Sequence, residues 1–99
     1  MRRNNIKKIA CICGSGLGSS FLVKMNVDWV LKEFDLKDIE VQHYDLGSAW
    51  PGIADVIVCG ADLYDNCVRF AETIPLKNIM DKNELKEKLR VFLTSKGVL

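Results

Sequence analysis

The chain has 99 residues, 48% of them hydrophobic, enough for one small domain with one core and not for two. Its 14 basic and 13 acidic side chains leave a formal charge of +1, so nothing in the composition calls for nucleic acid or an anionic membrane surface. No apolar run nears the ~20 residues of a membrane span, and the charged start (Arg2, Arg3, Lys7, Lys8) leads only into a short apolar stretch, Ile9 to Ile12, so the expectation is a cytoplasmic protein without a signal peptide, tied to any membrane through a partner.

Taken in chain order, Ile6 to Cys13 reads as the first strand, and its continuous apolar run from Ile9 is that of a central strand covered on both faces. Gly14 to Gly18 form a loop. From Ser19 to about Phe34 the pattern turns helical. Leu22, Met25, Trp29 and Lys32 trace one face, widened by Phe21 and Val30, and Ser19 or a neighbour is placed to cap the start. Ile39 to Tyr44 alternates with period two and predicts a strand, followed by a Gly- and Pro-containing connection over 45–52. Asp55 to Gly60 is a second buried strand. Asn66, Cys67, Phe70 and Ala71 suggest a short helix, and Ile74 to Met80 a last strand with Pro75 near its start. Asp81 is an N-cap for a final helix carrying Leu85, Leu89, Phe92 and Leu93, which Gly97 ends.

Four alternations of strand and helix predict an α/β fold. The expected form is a four-stranded parallel sheet of order 2-1-3-4 flanked by helices, a flavodoxin-like three-layer arrangement in one domain over 1–99. In such sheets ligands sit at the carboxyl ends of the strands near the topological switch point, which is where Cys13 stands.

The stretch from Cys13 to Ser20 (CGSGLGSS) carries the chemistry. Glycines let backbone N–H groups converge, and the following helix N-terminus adds further donors and a positive field. Ser15, Ser19 and Ser20 offer hydroxyls. The same field favours the thiolate of Cys13, which is then equipped to attack phosphorus and hold a phosphoryl group. Gly14, Ser15, Gly16, Leu17, Gly18, Ser19 and Ser20 are the candidate phosphate-binding residues. A glycine loop that serves only a tight turn, with a buried strand-end cysteine, is the plainer alternative.

Rival motifs are absent. A Walker loop needs a lysine, and the first one after Cys13 is Lys24. The dinucleotide pattern fails because the third glycine comes one residue early. A low-molecular-weight cysteine phosphatase would carry arginine at position 19, where this chain has serine. Cys11, Cys59 and Cys67 read as small buried apolar residues. The cysteine spacing matches neither a redox CxxC pair nor a zinc site, and no cofactor is called for.

Strand, Cys13, the run GSGLGSSF and the pair Lys24-Met25 resemble the IIB component of the bacterial phosphoenolpyruvate-dependent sugar phosphotransferase system over nearly the whole chain. They lean toward the ascorbate and galactitol branch, unlike the lactose/cellobiose one, and toward the ascorbate type within it. The resemblance implies that Cys13 is phosphorylated by a histidine of the IIA component and passes the group to a sugar held by the membrane IIC transporter. That sugar would be ascorbate-like, or a hexitol or pentose. Two alternatives stand beside it. One is a phosphorylation-responsive regulatory module, against which a free-standing chain of this length would count. The other is a small cysteine phosphatase.

Further residues carry lesser expectations. His43 reads as an exposed histidine, Asp62 and Asp81 as helix caps near the loop. Phe21 and Leu22 read as core residues or as apolar contacts for a partner. Cys13 and Cys59, on neighbouring strands, raise the question of whether their thiols can meet.

Overall fold

A computed structural model describes residues 6–13 and 18–99, with the backbone alone for residues 18 and 19. Four strands, β1 (Lys8–Cys13), β2 (Glu40–Asp45), β3 (Val56–Gly60) and β4 (Glu72–Leu76), form one parallel sheet in the order β2-β1-β3-β4. The expected topology is therefore present. Helix α1 (Gly18–Glu33) joins β1 to β2, and α3 (Lys82–Ser95) follows β4. A 3-10 turn (Ala61–Leu63) and the four-residue α2 (Tyr64–Cys67) join β3 to β4. A second 3-10 turn, Leu46–Ser48, lies in the connection after β2.

Alternation along the strands builds a core on each face. Ile9 and Cys11 of β1, with Val56 and Val58 of β3, meet Val23, Val27, Val30 and Leu31 of α1 and Leu85, Leu89 and Leu93 of α3. Ala10 and Ile12, with Ile57 and Cys59, meet Ile53 and Cys67 on the other face, with Tyr44, Leu63 and Phe70 at its margin. Continuous apolar runs in β1 and β3 are thus what two covered faces demand.

The ends of this scaffold have clear causes. Asp55 accepts hydrogen bonds from the backbone N–H groups of Lys7 and Lys8 at 2.8 and 3.0 Å, fastening the start of β1 to the start of β3. Asp81 caps α3 as expected, accepting from the N–H groups of Asn83 and Glu84. Helix α3 ends in a Schellman motif: Val98 N–H donates to Leu93 C=O, Gly97 N–H donates to Thr94 C=O, and Gly97 has φ +76°. Helix α1 ends the same way, but the left-handed position is Asp35, at φ +57°.

Two elements depart from the sequence reading. The last strand is Glu72–Leu76 and not Ile74–Met80, so Pro75 lies near its end. Lys77 and Asn78 are drawn off the sheet because their N–H groups donate to the Glu84 carboxylate at 2.6 and 3.0 Å. Pro75 is tolerated because β4 is an edge strand. The second departure is the facing of α1. Leu22, Met25 and Trp29 point to solvent, as does Phe21, while Val23, Val27, Val30 and Leu31 are buried. Of the residues assigned to the apolar stripe, only Val30 faces the core.

Candidate functional site

Cys13 is the last residue of the central strand β1 and projects to the face that α1 covers, as Ile9 and Cys11 do. It is 8% exposed, at the point where the chain leaves the sheet. The four residues Gly14, Ser15, Gly16 and Leu17 lie outside the described residues, and α1 begins at Gly18. No acidic residue stands in the first turn of α1, so its positive end is not cancelled locally. Ser19 is the second residue of the helix.

Ser20 points into the protein. It is 1% exposed, and its Oγ lies 3.3 Å from Nδ1 of His43. His43 is consequently half-buried and not the exposed residue the sequence suggested. Its ring also meets Phe21 edge-on, with centroids 5.5 Å apart. His43 is in register with Cys11, and the next residue on the same face of β2, Asp45, is in register with Cys13. Thiol, carboxylate, imidazole and buried hydroxyl therefore gather at one corner of the sheet. No local pattern marks the Ser20–His43 pair, because 23 residues separate the two.

The other three cysteines are held as thiols. Burial, aided by the nearby Asp28 carboxylate, pushes Cys11 well above the usual thiol range. Burial and the neighbouring Cys67 push Cys59 up to about 12, and burial also raises Cys67. Cys59 cannot meet Cys13: it is in register with Ile12 and shares that residue's face of the sheet, opposite Cys13. Asp81 is committed to capping α3. Asp62 is not a cap; it lies within the 3-10 turn after β3, with its carboxylate folded back toward Gly60, where an added Cβ would sit 2.6 Å from Oδ1.

Beside this corner, α1 presents Phe21, Leu22, Met25 and Trp29 at 40–51% exposure. Two lysines of α3 flank the indole, with the Nζ of Lys82 and Lys86 at 5.2 and 5.8 Å from its centroid. The core reading of Phe21 and Leu22 is thereby overturned. No described helix is long and apolar enough to cross a membrane.

The family model described as "PTS system, Lactose/Cellobiose specific IIB subunit" matches residues 8–91. The chain is also 31% identical over 97 residues to the ascorbate-specific PTS system EIIB component of Mycoplasma pneumoniae, covering 94% of this chain and all of that protein. The family description names the branch from which the loop resemblance set this chain apart; the relative has the specificity toward which it leaned.

Proposed function

Since the chain belongs to the IIB family of the sugar phosphotransferase system and is ascorbate-like within it, we propose that Cys13 is its phosphoryl carrier. A phosphotransferase role and work alongside IIA and IIC components come with membership of that family. The observation that carries the finer reading is the position of Cys13. It alone among the four cysteines stands at the mouth of the loop before a helix N-terminus, while burial holds the other three as thiols.

In the first transfer the Cys13 thiolate attacks the phosphohistidine of IIA: the S–P bond forms as the P–N bond breaks, and the imidazole leaves. In the second, a sugar hydroxyl presented by IIC attacks phosphorus. The O–P bond forms, the S–P bond breaks, the thiolate returns, and the hydroxyl proton is taken up on the transporter side. Residues Gly14 to Ser20 supply backbone and hydroxyl donors around the equatorial oxygens. The missing arginine suits a carrier, because it leaves water without the clamp a phosphatase uses. The sugar is ascorbate-like, following the relative, and the protein works in the cytoplasm, at the membrane only through IIC. Phe21 and Leu22, exposed beside the loop, form the apolar contact for its partners.

The test is labelling from phosphoenolpyruvate through the general phosphotransferase proteins and a cognate IIA, with mass-spectrometric mapping. Label on Cys13, absent in Cys13→Ser with the fold intact, is expected. Label that persists in Cys13→Ser would sink the proposal.

A further inference from the structure

We propose that the outer edge of β2 pairs antiparallel with the same edge of a second copy of this chain, making one continuous sheet across a two-fold axis at Gln42. The proposal stands independently of the reading of Cys13 as carrier.

The two edges of the sheet differ. At β4, Pro75 has no N–H to offer, and its carbonyl accepts from Nζ of Lys88 at 2.5 Å. Strand β2 has no such guard: its sequence, EVQHYD, holds neither proline nor lysine, and it pairs with β1 without a bulge. Its backbone alternates in direction. Glu40 N–H donates to Lys7 C=O at 2.8 Å, so Glu40, Gln42 and Tyr44 turn their backbone groups to β1, and Val41 and His43 turn theirs outward. Among the described residues, nothing bonds to those outward groups.

Charge selects a second copy as the occupant. Glu40, Gln42 and Tyr44 share the sheet face that carries Lys8. Lys8 is the register partner of Glu40, yet its ammonium lies over the rings of Tyr44 and Trp50, at 5.2 and 5.8 Å from their centroids. The exposed Glu40 carboxylate accepts instead from the Gln42 amide at 3.3 Å. Positive charge therefore sits by the Tyr44 end of β2 and negative charge at the Glu40 end. An antiparallel copy reverses one row against the other. With Gln42 opposite its own copy, Val41 and His43 exchange N–H···O=C bonds in both directions, and Glu40 of each chain faces Tyr44 of the other. Each carboxylate then comes within reach of the ammonium resting on that tyrosine. The helices fit as well. Helix α1 touches both β1 and β2, so two strand spacings, about 9.6 Å, separate it from its copy, which is the distance of packed helices.

Sedimentation of the full chain from about 10 μM to 1 mM should show a monomer–dimer equilibrium that added salt weakens. Glu40→Lys should raise the dissociation constant about tenfold, and combining it with Lys8→Glu should restore the wild-type value. Register is read by cross-linking, with Cys13→Ser included to remove the strand-end thiol. Gln42→Cys should give a disulfide-linked dimer on mild oxidation, because its Cα atoms lie about 4.5 Å apart across the axis; Glu40→Cys should not. A chain that stays monomeric throughout, even one whose edge takes a strand of some other protein, would overturn the proposal. So would a dimer indifferent to Glu40→Lys, or Glu40→Cys cross-linking as readily as Gln42→Cys. Each of these results leaves the carrier reading intact, and failure of Cys13 to take phosphate would leave the dimer intact.

Discussion

Cys59 and Cys67 are buried in one cluster on the sheet face turned away from Cys13. Cys59 belongs to β3 and Cys67 to the end of α2, so this packing ties the short connection to the sheet. Only the thiolate reacts quickly with alkylating agents. Iodoacetamide at about pH 8 should therefore modify Cys13 first in the folded protein, with Cys11, Cys59 and Cys67 following only on unfolding. Peptide mapping after short exposures checks the order; native-state labelling of Cys59 ahead of Cys13 would contradict it.

Glu84 makes stability depend on pH. Its hydrogen bond and ion pair with Lys88, and the N–H groups of Lys77 and Asn78, hold its carboxyl down at about 2, against an ordinary 4.5. A folded-state value below the unfolded one means that the stabilisation is complete above about 4.5 and is lost as pH falls toward about 2. Urea unfolding of wild type and Glu84→Gln should show the variant weaker at neutral pH, with the gap closing across that window.

Asp35 occupies a left-handed backbone position that glycine adopts without steric cost. Its carboxylate reaches Lys37 only at 4.0 Å, with both side chains almost fully exposed, so little is lost by removing it. Asp35→Gly should raise stability by about 1 kcal/mol and the melting temperature by about 4–8 °C, read by circular dichroism.

The two sides of α1 should respond oppositely to substitution. Val27 is fully buried, and Val27→Asp should leave no cooperative unfolding transition, because it puts an unpaired charge in the core. Leu22→Glu and Met25→Glu, at 42% and 51% exposed positions, should melt like wild type. They should nonetheless slow phosphoryl transfer from IIA about tenfold, equivalent to about 1.4 kcal/mol of docking. Wild-type transfer rates in both would remove this face from the docking surface.

Sequence alone revealed the sheet well and the site in part. Ile9 to Cys13 and Val56 to Gly60 are legible because a strand covered on both faces has to be apolar throughout. Cys13 is legible as a candidate because glycines follow it in the sequence and it ends the central strand. The facing of α1 was not, because apolar residues occupy both sides of the helix and periodicity cannot say which side meets the sheet. The end of β4 depended on Glu84, six and seven residues beyond the N–H groups it captures. The Ser20–His43 pair depended on the register of β2 beside β1, which is a property of the sheet and not of either segment.

Asp55 grips the chain where β1 begins, and Cys13 stands where it ends. One strand thus has an anchored root and a chemical tip. The root sets the register, and through it the placement of every neighbour. The tip sets only what happens to a group arriving there. The hydrogen bonds that fix the register lie at the far end of the strand from Cys13.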